Sequence, residues 1–252
     1  MAVKAPHDLH ELHAQHEAAV IESRLSAAKQ NSYLGDAVLG AIDGCVTTFA
    51  VVAGASGAAL PASVAIILGL ANLLADGFSM AASNYQRAKS EHEWLARARA
   101  IEEMHVHEVP DGEREEVRQI FAAKGFQGEL LEQIVQGITQ DRKLWVDTML
   151  TEELGLRLDP PRPGMAALTT FGGFCAAGAL PLLPYLLPGL PQAQVFGASV
   201  GIAAAVFFGI GVVKGRVLQQ PLFRCGMETL LVGGAAAGLA YLVGALLRGL
   251  VV

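Results

Sequence analysis

The sequence predicts an all-α, polytopic membrane protein with five transmembrane helices and a three-helix cytoplasmic insert between the second and third. The 252 residues are 52% hydrophobic and only 17% charged, whereas soluble domains carry about 25% charged residues. Residues 44–75, 163–213 and 229–247 contain no Asp, Glu, Lys or Arg, and one crossing takes about 20 residues. The charge is concentrated instead in residues 85–160, which hold ten basic against sixteen acidic residues.

Residues 1–32 predict a polar helix at the membrane surface. Its histidines, three residues apart, fan around about half of such a helix and therefore cannot all bind one ion. The favoured interpretation is a solvated, histidine-rich segment that precedes the first span. The alternative is weak metal binding that also involves Glu11 and Glu17. The stretch has no features of a cleaved signal peptide. The histidines are His7, His10, His13 and His16.

Residues 33–85 predict the first two transmembrane helices, at about 34–54 and 62–84. The first carries Asp36 and Asp43, which share one helix face because positions seven apart differ by roughly 20°. An ionised carboxylate at membrane depth costs about 2.5 kcal/mol or more, so two of them on one span indicate a path for ions. The second span has its own polar stripe in steps of four, made of Asn72, Asp76, Met80 and Asn84.

Residues 86–160 form the acidic insert. The second span has no helix breaker at its end, so one long helix is expected to leave the membrane and to end at Pro110-Asp111-Gly112, where Asp111 can cap the next helix. Further helices are predicted at 112–124 and 127–156, the latter with a bend near Gly137. An acidic insert does not suit nucleic acid, but it does suit cations.

Acidic residues of the insert fall in pairs that share a helix face. Three helices that point such pairs inward would form a carboxylate-rich cluster. Oxygen and imidazole ligands suit Fe²⁺, Mn²⁺ and similar ions, and a thioether disfavours Mg²⁺ and Ca²⁺. The alternative is that these acids only solvate helix surfaces. The pairs are Glu102/His105, Glu113/Glu116 and Met149/Glu153, with Glu152 beside the last.

Residues 161–252 predict three more spans, at about 165–187, 193–214 and 228–248. Lys and Arg are absent from loops 55–62 and 188–194, so by the positive-inside rule the N-terminus and the insert are cytoplasmic and the C-terminus is outside. Small residues four apart predict close helix contacts: Gly40/Gly44, Gly172/Ala176, Gly197/Gly201 and Gly234/Gly238. The three cysteines form no CxxC motif, which argues against a disulfide framework or a thiolate zinc site.

Two long motifs, AVLGAIDGCVTT in the first span and DGFSMAASNYQRAKSEHE at the end of the second, resemble the vacuolar iron transporter family and its bacterial relatives. The similarity extends from about residue 33 over the rest of the chain. It implies a homodimer whose path lies between the protomers, lined mainly by spans 1 and 2. It also implies export of ferrous iron from the cytosol in exchange for protons, and no enzymatic activity.

The resemblance implies roles for individual residues. Asp43 and Met80 correspond to the family's intramembrane metal site. Independently of the resemblance, Asp36 lies near the cytoplasmic mouth of its span and is an entry ligand or only a helix-start acid, and Asp76 is expected to be a proton-coupling group. Two positions depart from the pattern: His105 stands where Glu is common, and Leu150 where a second Met is expected. The ligands of the insert correspond to Glu102, Glu113, Glu116, Met149 and Glu153.

The sequence therefore predicts a divalent metal exporter in a lipid bilayer, with Fe²⁺ as its ion and Mn²⁺, Co²⁺ or Zn²⁺ not separated from it. One alternative is a membrane-anchored carboxylate di-iron enzyme, although Glu-x-x-His occurs once, at Glu102–His105, where such bundles use two. Another is a metal-sensing membrane scaffold without transport. The favoured host is a bacterial inner membrane, or a vacuolar-type membrane if the source is eukaryotic.

Overall fold

The computed structural model describes residues 13–14, 16–28, 33–187 and 189–251, and every regular element in these ranges is helical. His7 and His10 of the predicted N-terminal helix lie outside them. The chain divides into two compact units, one made of residues 1–85 and 163–252 and the other of residues 86–162.

In chain order the elements are α1 (Ala18–Ala28), α2 (Leu34–Gly57), α3 (Ala62–Glu108), α4 (Pro110–Ala123), α5 (Gly128–Thr139), α6 (Arg142–Thr148), a π-helix (Met149–Glu153), α7 (Pro163–Ala179), a 3₁₀-helix (Leu180–Leu186), α8 (Gln192–Leu218) and α9 (Leu222–Val251).

Five helical segments are long and apolar enough to cross a membrane, which confirms the predicted all-α fold with five spans. They lie in α2, α3, α7 with its 3₁₀ extension, α8 and α9. The third span changes from α to 3₁₀ because Pro181 and Pro184 lack the N–H groups that an α-helix needs. The 3₁₀ turn is held at Pro181, whose carbonyl accepts a 2.7 Å hydrogen bond from Ser199 Oγ.

The packing of the membrane unit depends on glycines of α2. A Cβ at Gly40 would lie 2.2 Å from the carbonyl oxygen of Thr170, and one at Gly44 would lie 2.3 Å from that of Phe174. Only glycine permits this approach of α2 to α7. At Gly197, Gly201, Gly234 and Gly238 a Cβ would meet nothing within 4 Å among the described residues of this chain, so these two small-residue pairs form no close helix contact within it.

Helix α3 runs unbroken for 47 residues, as the sequence predicts. Its membrane half contacts α7 through Asn84, whose Nδ2 donates to Thr170 Oγ1 at 2.7 Å and to the carbonyl of Ala166 at 3.2 Å. The other asparagine of the stripe differs, because Nδ2 of Asn72 is buried and has no acceptor among the described residues. Asn84 therefore fixes the register of α3 on α7.

The insert contains more segments than the predicted three helices. The stretch 127–156 breaks at Asp141, not near Gly137, because the Asp141 carboxylate accepts from the backbone N–H groups of Lys143 and Leu144 and starts a new helix. Asp111 is not a cap: α4 begins at Pro110, and Asp111 lies in its first turn, 2.8 Å from Arg114. Helix α4 is followed by Gly125 with φ +97°.

The core of the insert is a cluster of apolar side chains contributed by every helix of that unit. Met149 and Leu150 are completely buried in it, and Trp145 is 5% exposed. Arg114 lies over the Trp145 ring, with its Cζ 5.7 Å from the ring centroid. This core fixes the relative positions of α3, α4 and the π-helix, which carry the acidic pairs.

Candidate metal site

Two buried carboxylates and one imidazole meet between the last turns of α3 and the first turn of α4. Glu102 and Glu113 are 4% and 3% exposed, and His105 follows Glu102 by one turn on α3. His105 Nδ1 lies 3.4 Å from Glu113 Oε1, and one ligand atom from each of the three residues lies within 4.8 Å of the others. This spacing suits the shared coordination of one cation.

The carboxylates of the cluster lack the partners that buried anions require. Oε2 of Glu102 and Oε2 of Glu113 are both buried, and neither has a hydrogen-bond donor among the described residues. Burial and the negative charges of Glu116, Glu102 and Glu153 raise the pKa of Glu113 to about 7. Burial and the charge of Glu153 likewise raise the pKa of Glu102. Nearby charges and orphaned oxygens of this kind indicate a place for a cation.

Glu116 and Glu153 surround this pair from the solvent side. Both are exposed, and the pKa of Glu153 is raised by desolvation and by the charge of Glu116. Glu153 ends the π-helix that begins at the buried Met149. Such π-helical turns often occur at functional sites, and here the turn sets where Glu153 lies relative to Met149.

Two predicted ligands stand apart from the three-residue cluster. Glu152 forms an ion pair with Lys124 just beyond α4, so its carboxylate already has a cationic partner. The structure therefore does not bring Glu152 into the cluster. Met149 is completely buried in the apolar core, one turn before Glu153.

The site is supported by contacts that sequence reasoning missed. Asp147 accepts from Arg99 at 2.6 Å and from Lys143 at 2.7 Å. Burial alone would raise the pKa of Asp147, but these two cations hold it below its usual value. The Arg99 contact joins α6 to the same helix that carries Glu102 and His105. No local pattern could reveal it, because the two residues are 48 positions apart.

The polar residues of the membrane unit occupy α2 and α3. Asp43 is half-buried and lies close enough to Asp76 for electrostatic repulsion. Asp76 is exposed on α3, whereas Leu74 and Phe78, which are 59% and 70% exposed, lie on a different face of that helix, because positions two apart differ by about 200°. Met80, one turn after Asp76, is half-buried, as is Asp36 in the first turn of α2.

The donor set of the insert determines which ions it can bind. Carboxylate oxygens and an imidazole nitrogen form a mixed site that suits Fe²⁺, Mn²⁺, Co²⁺ or Zn²⁺. The fit rests on Glu102, His105 and Glu113, because one ligand atom from each lies within 4.8 Å of the others. The two acids beside them, Glu116 and Glu153, are exposed to solvent.

Comparison with known proteins gives a consistent result over most of the chain. The sequence profile described as "VIT family" matches residues 34–245. The chain is 34% identical over 208 residues to Vacuolar iron transporter 1 of Oryza sativa subsp. japonica, covering 82% of each sequence. It is 33% identical over 208 residues to Vacuolar iron transporter 1 of Arabidopsis thaliana, again covering 82% of each. It is 34% identical over 229 residues to Vacuolar iron transporter of Toxoplasma gondii, covering 86% of this chain and 75% of that one.

Proposed function

Because this chain belongs to the VIT family, whose members are transporters and not enzymes, we propose that the ion it transports is Fe²⁺, moved out of the cytosol. The chain is a multi-pass membrane protein that transports metal ions. Ferrous iron is the proposed substrate because the relatives are named for iron. The structural support comes from Glu102 and Glu113 of the insert, because their buried oxygens have no donor among the described residues and, with His105, they offer ligand atoms within 4.8 Å of one another.

The insert acts as the collecting site for the ion. Glu102, His105 and Glu113 bind Fe²⁺, and Glu116, Glu153 and Met149 complete or exchange its coordination. Ligand exchange at the exposed rim permits rapid release, which a transporter needs and a storage site does not. In this proposal the insert is cytoplasmic, in keeping with the distribution of Lys and Arg between loops.

The path through the membrane uses the acids of α2 and α3. Asp36 receives the ion, and Asp43 with Met80 forms the intramembrane site. Asp43 and Asp76 repel each other when both are ionised, so a divalent cation or protons must accompany them. The proposed exchange is proton antiport, in which protons occupy the carboxylates, with Asp76 as the coupling group, when the metal leaves.

The path is completed by a second copy of the chain. Asp76 lies on an exposed face of α3 within a span, and a carboxylate facing lipid costs about 2.5–3.5 kcal/mol. Covering this face with the same face of another protomer removes the cost and encloses the ion. The glycines beside Asp43 do not serve this purpose, because Gly40 and Gly44 contact α7 of their own chain.

A flux assay in proteoliposomes tests the proposal. The full-length protein should take up Fe²⁺ under an imposed pH gradient, and uptake should alkalinise the lumen in step with the metal, because antiport carries protons out as the ion enters. Asp43→Ala should abolish uptake, because it removes the intramembrane carboxylate, whereas Glu103→Gln, an exposed change on α3, should leave it intact. Normal uptake by Asp43→Ala would contradict the path.

Binding to the insert is tested separately in the same full-length protein. The chain has two tryptophans, and Trp94→Phe leaves Trp145, buried in the insert core, as the fluorescent reporter. Fe²⁺ should quench Trp145 in this background under anaerobic conditions. Glu102→Gln with Glu113→Gln should weaken the response at least about tenfold, the effect of losing charged metal ligands, whereas Glu103→Gln should not. If the variant with both Glu102→Gln and Glu113→Gln gave the same Fe²⁺ titration as the parent, the insert would not be the collecting site.

A further inference from the structure

A groove in the membrane unit has no role in the proposed ion path. It has a volume of about 460 Å³ and lies between the first half of α2, the second half of α7 and the second half of α8. All twelve residues that line it are apolar, and half of them are Ala or Gly. The small side chains of Ala37, Ala41 and Gly209 leave the space that larger residues would fill.

The groove opens toward the surroundings of the span. Leu34, Leu180 and Val213 line it and are 42%, 36% and 45% exposed. Within a bilayer an apolar cleft of this kind excludes water, because water would find no polar partner there. Hydrocarbon is the medium that fills it.

One end of the groove carries positive charge. Val213, which lines the groove, is followed by Lys214 and, two residues later, by Arg216 in the last turn of α8. Neither cation has a carboxylate within 4.0 Å among the described residues. Helix α2 begins at Leu34, which also lines the groove, and its N-terminal N–H groups favour an anion. Asp36, the acid in that first turn, has a partner of its own.

We propose that this groove binds an anionic phospholipid, with one acyl chain between α2, α7 and α8 and the phosphate at Lys214 and Arg216. Basic positions at the ends of apolar interhelical pockets are suited to anionic head groups. A second copy of the chain is a poorer occupant, because a two-fold contact places each residue opposite the same face of its partner. Lys214 and Arg216 would then meet their own like charges.

Gly209 permits a clean test of the acyl-chain position. A Cβ at Gly209 would meet nothing within 4 Å, so Gly209→Leu fills the groove without disturbing its walls. Gly201→Leu is the matched control, since Gly201 lies on the same helix, has equally open space and does not line the groove. Lipid that survives purification in detergent is measured by native mass spectrometry. Gly209→Leu should lose the bound phospholipid, and Gly201→Leu should keep it.

The head-group position is tested by charge removal. Lys214→Gln with Arg216→Gln should weaken binding of phosphatidylglycerol roughly thirtyfold, the effect of two cations near a membrane surface. Arg248→Gln, in the last turn of α9, is the control and should change nothing. Binding is read from the rise in melting temperature on adding phosphatidylglycerol to delipidated protein, compared with phosphatidylcholine.

Three results would overturn the inference. Equal stabilisation by phosphatidylglycerol and phosphatidylcholine would rule out the head-group site. Retention of lipid by Gly209→Leu at the level of Gly201→Leu would rule out the acyl-chain site. Oxidative cross-linking of two chains through Gly209→Cys would show a second copy in the groove instead of a lipid.

Discussion

At the scale of single residues, the protein is governed by carboxylates in places that disfavour charge. Glu102 and Glu113 are buried in the insert, and Oε2 of each has no hydrogen-bond donor among the residues that the structure describes. Such groups destabilise the fold unless a proton or a metal neutralises them. The cluster therefore lowers the stability of the metal-free protein and raises its affinity for a cation, and both quantities can be measured.

The stability of the metal-free insert should depend on pH through Glu113. Its ordinary pKa of 4.5 applies in the unfolded chain, whereas the folded chain raises it to about 7. The stability present below pH 4.5 should therefore be lost as pH rises to 7, by about 3 kcal/mol. Urea unfolding with chelator present, followed by Trp145 fluorescence in the Trp94→Phe background, measures this loss.

Glu113→Gln should flatten that pH dependence, because the amide does not titrate. Glu129→Gln, an exposed change in α5, should preserve it. If the wild-type insert were equally stable at pH 4.5 and pH 7.5, the burial of an uncompensated Glu113 would be ruled out.

His105 should influence which metal the insert prefers. Imidazole favours Zn²⁺ and Co²⁺ over Mn²⁺, whereas an additional carboxylate favours Mn²⁺. His105→Glu should shift the ratio of Zn²⁺ to Mn²⁺ affinity by about tenfold toward Mn²⁺, as one changed ligand typically does. Competition titrations with the Trp145 signal measure the ratio.

The matched control for this change is His107→Glu. His107 lies on the same helix, with its Nδ1 2.9 Å from Glu108 and not in the cluster. An equal shift in both variants would mean that added negative charge acts at a distance and that His105 is not a ligand.

At the scale of elements, the contact between α2 and α7 sets the geometry of the membrane unit. Gly40 and Gly44 bring the backbones together, and Gly173 and Gly178 do the same from the side of α7. Motif inspection identified the two glycines of α2 but not their partner helix. A stripe of small residues indicates that another helix packs closely against it, but only the tertiary structure shows which helix that is.

Gly40→Ala should destabilise this contact, because its Cβ would lie 2.2 Å from the backbone oxygen of Thr170. Overpacking of a rigid contact typically costs about 1–3 kcal/mol. Gly172→Ala is the control, since a Cβ there meets nothing within 4 Å. Thermal unfolding in detergent should show a lower melting temperature for Gly40→Ala alone. Equal melting temperatures would mean that α2 and α7 are not in close contact.

At the scale of the whole molecule, the exposed face of α3 needs a partner. It carries Asp76 within a span, with the exposed Ser79 and Ser83 on the same face one and two turns later. By contrast, the exposed positions of α9 include large apolar residues such as Leu231 and Val232, which are 66% and 67% exposed. The second surface suits lipid, and the first suits another copy of the chain.

Cysteine cross-linking in native membranes should separate the two surfaces. Ser79→Cys or Ser83→Cys, on the face of Asp76, should give a cross-linked dimer on mild oxidation, because a two-fold axis brings equivalent residues together. Leu231→Cys, which is also exposed, should stay monomeric. The native Cys175, which is half-buried, is replaced in all variants. Dimers from Leu231→Cys alone would place the interface on α9.

The sequence by itself determined the class of fold, the five spans, the unbroken helix α3 and the family. These features depend on composition, on runs without charge and on local motifs, all of which act over one helix or less. It also identified the pairs that include Glu102, His105 and Glu113, because side chains three or four apart share a helix face.

Only the tertiary structure decided which of these residues meet. Glu102 and His105 lie close to Glu113, whereas Glu152 forms an ion pair with Lys124 instead. Gly40 and Gly44 pack against another helix of the same chain. The tertiary structure also shows that the helix break lies at Asp141 and that an apolar groove is lined by Gly209. The physical reason is common to all of them: burial and contact between helices depend on packing across long sequence separations, which no local pattern contains.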